Sequence, residues 1–164
     1  MSVVNWGKPK LEIAAYENGA LPANPTWTTL PEPVTDTTEL ATEEGDKVEA
    51  IEEGGGVVDT YRKKSKYSLS FELFEKKGET KPIEDNDGVI DTTYAIRLTP
   101  EDTTNNGYLM KKCSVSCLNT WKSADGGRWK YTFDALVPDD GSKMLERYVA
   151  STTNSTADGS SDEA

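Results

Sequence analysis

The chain reads as a mainly β protein: one β-sandwich or barrel domain over residues 1–150 with a projecting long hairpin, one short helix near its end, and a disordered polar tail at 151–164. Three observations predict this. Short apolar runs alternate with polar residues at the two-residue period of half-buried strands. Thirteen glycines and eight prolines punctuate those runs, which is the pattern of many turns rather than of long helices. At 164 residues there is room for one domain, which at this size buries roughly 70% of the surface its unfolded chain exposes.

The elements follow in order. KLEIAAY (10–16) alternates Leu11, Ile13 and Ala15 against Lys10, Glu12 and Ala14, a half-buried strand. Residues 17–37 hold four prolines, at 22, 25, 31 and 33, and read as an extended surface loop anchored by Trp27. Residues 38–74 carry the best strand signals, with Tyr67, Leu69, Phe71 and Leu73 on one face and Ser68, Ser70 and Glu72 on the other. A turn-rich crossing leads to a strand at 93–98. Two strands then flank KSADGG, an Asp-Gly turn of the hairpin-closing kind. Trp129, Tyr131, Phe133 and Ala135 share a face of one, and Leu109, Lys111, Cys113, Val115 and Cys117 a face of the other. SKMLERYVA (142–150) reads as a short helix capped by Ser142. The last fourteen residues have no apolar periodicity.

Charge is segregated around EAIEEGGGVVDT (49–60). Residues 31–60 hold ten carboxylates and one lysine, whereas residues 61–81 hold seven cations and three carboxylates. With the three glycines as the turn, residue 53 pairs with 57, which sets Asp46 opposite Lys64 and Glu44 opposite Lys66, each pair contributing roughly 0.2–1 kcal/mol. Eight-residue strands of this kind reach about 27 Å. One reading is a solvated surface hairpin. The other is an edge left open for pairing, since natural proteins blunt projecting edges unless pairing is intended.

Several functions are excluded or disfavoured. A net charge of −11 argues against a protein that grips nucleic acid, because such affinity rests on Lys and Arg displacing counterions from phosphates. A conduit that DNA passes without sticking stays open. There is no histidine, which removes the commonest general base and transition-metal ligand. No nucleophile elbow, phosphate loop or placed carboxylate pair points to an enzyme, and no cofactor is expected. Cys113 and Cys117 lie about 13 Å apart along one strand, beyond the ~7 Å reach of a disulfide, and read as reduced, core-facing thiols. EDNDG (84–88) lacks the spacing of a calcium loop and reads as a turn. MSVVNWGKPK has no apolar leader core and no run reaches about 18 apolar residues, so a soluble product of the cytoplasm, without membrane partners, is expected.

The stretches WGKPKLEIA, ATEEGDKVEAIEEGGGVVDTYRKKSKYSLSFELF and GRWKYTFDALVP resemble tail tube proteins of tailed bacteriophages and prophages, which are related in fold to the tubes of contractile injection and type VI secretion systems. The likeness runs over about residues 1–138. It implies a structural virion protein of the tail, made in the host bacterium, whose copies join into stacked hexameric rings. Its partners would be itself, other tail proteins, and DNA in passage without specific binding.

On that resemblance residues 46–64 form the inter-subunit hairpin, with Asp46, Val48, Glu49, Ile51, Glu52, Gly54, Gly55, Gly56, Val57, Val58, Tyr61, Arg62 and Lys64 as its contacts. Trp6 and Trp27 would meet neighbouring rings, while Glu49, Glu52, Glu53 and Asp59 are candidates to face the lumen. The chain departs from the family in having no helix of about ten residues between its strands. Two rival readings are a phage capsid decoration protein and a carbohydrate- or receptor-binding module using Trp27, Trp121 and Trp129, although tryptophans that anchor strands are more often buried.

Overall fold

Residues 3–149 are described by a computed structural model, and among them there are ten strands and no helix. The polar tail read at 151–164 lies outside the described residues. The strands are β1 (Lys10–Ala15), β2 (Thr28–Thr29), β3 (Glu39–Glu43), β4 (Lys47–Ile51), β5 (Val57–Arg62), β6 (Lys66–Phe74), β7 (Tyr94–Thr99), β8 (Gly107–Lys122), β9 (Gly126–Ala135) and β10 (Glu146–Tyr148). Eight of them make one antiparallel sheet in the order β2-β1-β7-β8-β9-β6-β3, with β10 added to β8, and β4 and β5 pair separately.

The sheet rolls up on itself. Leu30 donates its amide to the Leu11 carbonyl on the β2 side of β1, and Val34 donates to the Glu72 carbonyl on the β3 side of β6, both at 2.8 Å. Laid flat, those positions would be six strand steps apart, about 29 Å at ~4.8 Å per step. Only three residues lie between them, and the four steps of chain from Leu30 to Val34 span at most about 14 Å. The two edges therefore meet, and a single core fills the resulting sandwich-like barrel, drawing Leu11, Ile13 and Ile96 from one half and Leu69, Phe71, Tyr131 and Phe133 from the other. Phe71 lies between Tyr131 and Phe133 with ring centroids 5.9 and 5.8 Å away.

The inward faces expected for β6 and β9 are formed, and their long pairings with each other and with β8 are in register. Cys113 and Cys117 are buried and unbridged, as expected. The face of β8 needs correction. Ile96 pairs with Met110 but Tyr94 pairs with Cys113, so β8 carries one extra residue between them. This bulge flips the alternation. Met110 points inward, and Leu109 and Lys111 do not share the face of Cys113.

Strand β1 is not half-buried. Leu11, Glu12, Ile13 and Ala14 are all covered, because the Pro-rich loop folds back over the outer face. There the Arg97 guanidinium holds the Glu12 carboxylate through bonds of 3.2 and 3.0 Å and lies 4.3 Å from the Trp27 ring centroid. Trp27 is thus the anchor that the sequence indicated.

The helix expected over 142–150 is replaced by β10, which pairs Glu146, Arg147 and Tyr148 with Leu109, Tyr108 and Gly107. Strand β9 leaves that length of β8 unpaired, and backbone partners there outweigh a helix too short to stand alone. Tyr148 settles over Gly107, where a side chain would collide with it, and its hydroxyl meets that of Thr99.

Two tight turns complete the frame. Asn18-Gly19 and Asp87-Gly88 both have positive φ, at 51° and 78° and at 49° and 88°, the signature of a type I′ turn. EDNDG is therefore a turn. Its Asp85 carboxylate is occupied, accepting from Lys81 Nζ at 2.6 Å and from the Gly88 amide at 2.7 Å.

Candidate functional site

Strands β4 and β5 make a ribbon in which every residue is exposed. Val48, Ile51, Val57, Val58 and Tyr61 present between 52% and 66% of their surface to solvent. This is a concentration of large apolar side chains that a two-stranded hairpin cannot cover by itself. Among the described residues no other strand pairs with either one.

The register differs from that expected. Lys47 pairs with Arg62, Val48 with Tyr61, Glu49 with Thr60 and Ala50 with Asp59, after which Ile51 pairs with Val57. Val58 is left over as a bulge. Asp46 is therefore not opposite Lys64: its carbonyl accepts from the Lys63 amide at 2.9 Å, and Glu43 rather than Glu44 faces Lys66. The cause is the turn. Gly55 donates to the Glu52 carbonyl, and Glu52 and Gly56 are bonded in turn, both at 2.8 Å, which leaves a three-residue loop of Glu53, Gly54 and Gly55. Gly55, at φ +90°, supplies the left-handed residue that such a loop requires. The strands are five and six residues long, not eight, so β4–β5 reaches about 20 Å.

The ribbon is the outer half of a longer one. Strands β3 and β6 pair with the same offset, Glu39 with Ser70 through Glu43 with Lys66, and hydrogen-bond to the main sheet through β6. Between the halves lies Gly45. A Cβ there would stand 2.0 Å from the Lys63 carbonyl oxygen, so the two backbones cross at a distance only glycine allows. Arg62 and Glu44 form an ion pair of 2.5 Å beside this crossing.

This register assigns the faces. Lys47, Glu49, Thr60 and Arg62 look to one side, with a Lys47–Glu49 ion pair of 2.5 Å. Val48, Ala50, Asp59 and Tyr61 look to the other, and Glu52 continues that side past the strand end. Glu49 and Asp59 therefore point in opposite directions, and Glu53 lies in the turn, so the four lumen candidates do not form one row. Gly54 and Gly56 complete the tip, and Lys64 lies in the link to β6.

The two tryptophans differ. Trp6 is 72% exposed on an N-terminal arm held to the 100–106 loop by Asn5 Nδ2 on the Asn106 carbonyl at 3.0 Å and by the Lys8 amide on Glu101 Oε2 at 3.1 Å. Trp27 is half-buried on Arg97, within its own domain. Sequence reasoning missed Gly45 and the Val58 bulge. The first had a legible signal, a glycine between two strand-like runs in TEEGDK, whereas the second follows from turn geometry alone.

In chemical terms the site offers unpaired strand edges, exposed apolar side chains and ordered charge. Neither protein-family models nor curated proteins give a match to this chain.

Proposed function

We propose that this chain is a structural subunit of a phage-type tail tube, which joins copies of itself through the β4–β5 ribbon into rings and stacks those rings into a conduit for DNA. One observation carries the reading: the ribbon leaves the sheet at Gly45, and among the described residues nothing covers either of its faces or either of its outer edges. Covering five such apolar side chains contributes on the order of 5–10 kcal/mol before the costs of association. Added strands on either edge satisfy the backbone groups as well.

The acidic composition fits a conduit, since DNA in transit meets few cations able to hold it. A sugar-stacking platform fits less well. Trp129 is buried and Trp27 is occupied by Arg97, so of the three rings only Trp121 is fully exposed.

Negative-stain microscopy of concentrated protein tests the proposal, with rings or tubes as the expected result. A variant with residues 49–60 replaced by Asn-Gly joins Val48 to Tyr61 by a two-residue turn. It should keep the β circular dichroism of the parent and remain as single particles. A parent that stays dispersed, or a shortened ribbon that still assembles, contradicts the proposal.

A further inference from the structure

Resting on the assembly reading above, we infer that the ribbon's two edges are opposite halves of one head-to-tail contact: the acidic β3–β4 edge of one copy takes the basic edge at 62–64 of the next, and two-fold pairing of like edges is disfavoured by charge.

The two edges are chemically distinct. Along β3–β4 and the link between them lie Glu39, Glu43, Glu44, Asp46 and Glu49, with Lys47 as the single cation. The opposite edge carries Arg62, Lys63 and Lys64. Some of this charge is neutralised within the ribbon, by the Arg62–Glu44 and Lys47–Glu49 pairs. Glu43, Asp46, Lys63 and Lys64 form no ion pair with a described residue. Among the described residues no strand pairs with the outer side of β3 over Glu39–Glu43, and β6 joins β9 only from Ser68 onward, so the outer edges beside them are open as well.

Three edge pairings are available to two copies. A two-fold β4–β4 contact sets Glu43, Asp46 and Glu49 against their own kind, and a two-fold β5–β5 contact does the same for Arg62, Lys63 and Lys64. Like charges directly opposite in a sheet are destabilising, and opposite charges stabilise. Only β4 against β5 of the next copy joins unlike edges. The levels also match: the Lys63 amide bonds to the Asp46 carbonyl across the ribbon, so both residues lie at one height. A neighbour rotated about an axis along the ribbon brings its Lys63 level with Asp46, and its Lys64 to a height between Asp46 and Glu43, without sliding. Every strand in such an array is antiparallel to the next. A head-to-tail contact repeated by rotation closes into a ring, whereas a two-fold contact stops at a dimer.

Charge exchange tests this on the full chain. One variant carries Lys63→Glu with Lys64→Glu, which makes the unpaired contact positions of both edges acidic; the other carries Glu43→Lys with Asp46→Lys, which makes them basic on both. Each alone should need at least about tenfold more protein to assemble than the parent, judged by sedimentation and microscopy. An equal mixture of the two should assemble at the parent's concentration, and so should a single chain bearing all four changes. All positions are on the surface, and circular dichroism verifies folding. If either two-residue variant assembles as readily as the parent, or the mixture stays dispersed, or the parent stops at two-fold dimers, the charge pairing is wrong. A parent that forms no assembly at any concentration removes the assembly reading itself.

Discussion

Gly45 and Lys63 cross so closely that a methyl carbon on the former would sit 2.0 Å from the carbonyl oxygen of the latter. The crossing lies where the ribbon leaves the sheet, between two halves that share one register. It sets the direction of the ribbon without taking part in the core. Gly45→Ala must push the two backbones apart at this point, so it should cost more than the roughly 0.5 kcal/mol of an ordinary surface change and should also sharply reduce assembly. Gly54, with open space around it and no positive φ, is the folding control, and Gly54→Ala should leave stability unchanged. Thermal melts and sedimentation of the two variants separate these effects.

The Arg97–Glu12 pair makes a prediction for the main sheet, away from the ribbon. Glu12 is buried, and Arg97 is its bidentate partner beneath Trp27. Arg97→Met leaves the buried Glu12 carboxylate to the half-exposed Lys10, 3.7 Å away, and should cost about 1–3 kcal/mol. Adding Glu12→Gln should recover part of that loss, because the two residues act as a unit. Urea denaturation of both variants reads the difference.

How far the sequence foretold this structure depends on which interactions decide each element. Strands β6 and β9 were legible because Leu69, Phe71, Tyr131 and Phe133 keep strict alternation and bury it in one core. The face of β8 before Cys113 was not, since one bulged residue inverts every position beyond it without any mark in composition. The helix read at 142–150 failed because three residues of open edge on β8 decide that segment, and this edge exists only in the folded sheet. In the ribbon, the charge segregation and the Gly-rich turn could be read directly. Its register could not: moving the turn to Glu53–Gly55 shifts every pair, and with them which carboxylates share a side.

Acid stability should depend on Asp85. The hydrogen bond from Lys81, and then that from the Gly88 amide, hold its carboxyl below the usual range, and the same bond to Asp85 raises the Lys81 ammonium. A depressed carboxyl stabilises the fold above its unfolded value, about 3.9, and that support is lost as pH falls through the folded value. The raised lysine contributes fully below its unfolded value of about 10.4 and loses its part as pH rises through the folded value. The stability gap between the parent and Asp85→Asn should thus be widest from about pH 5 to 10 and close in acid below about pH 4. Denaturation midpoints across that range measure it.

Thiol chemistry offers a separate check on the core. Burial pushes the Cys113 thiol up to about 12, with the charge of Asp134 adding to the effect, and burial raises Cys117 as well. Because the unfolded thiols ionise from about 8.5 while the native ones stay neutral, stability should fall as pH rises through that interval. At pH 8 both cysteines should react with a disulfide reagent at least about a hundredfold more slowly in the native protein than in denaturant.

Amide hydrogen exchange over residues 47–62, compared between dilute and assembled protein, bears most directly on whether the ribbon is completed by sister molecules. In dilute solution its outward-facing amides should exchange at close to the rate of an open chain, and in the assembly at least about a hundredfold more slowly. Protection already complete in the dilute monomer, or amides still open in the assembly, would contradict the account.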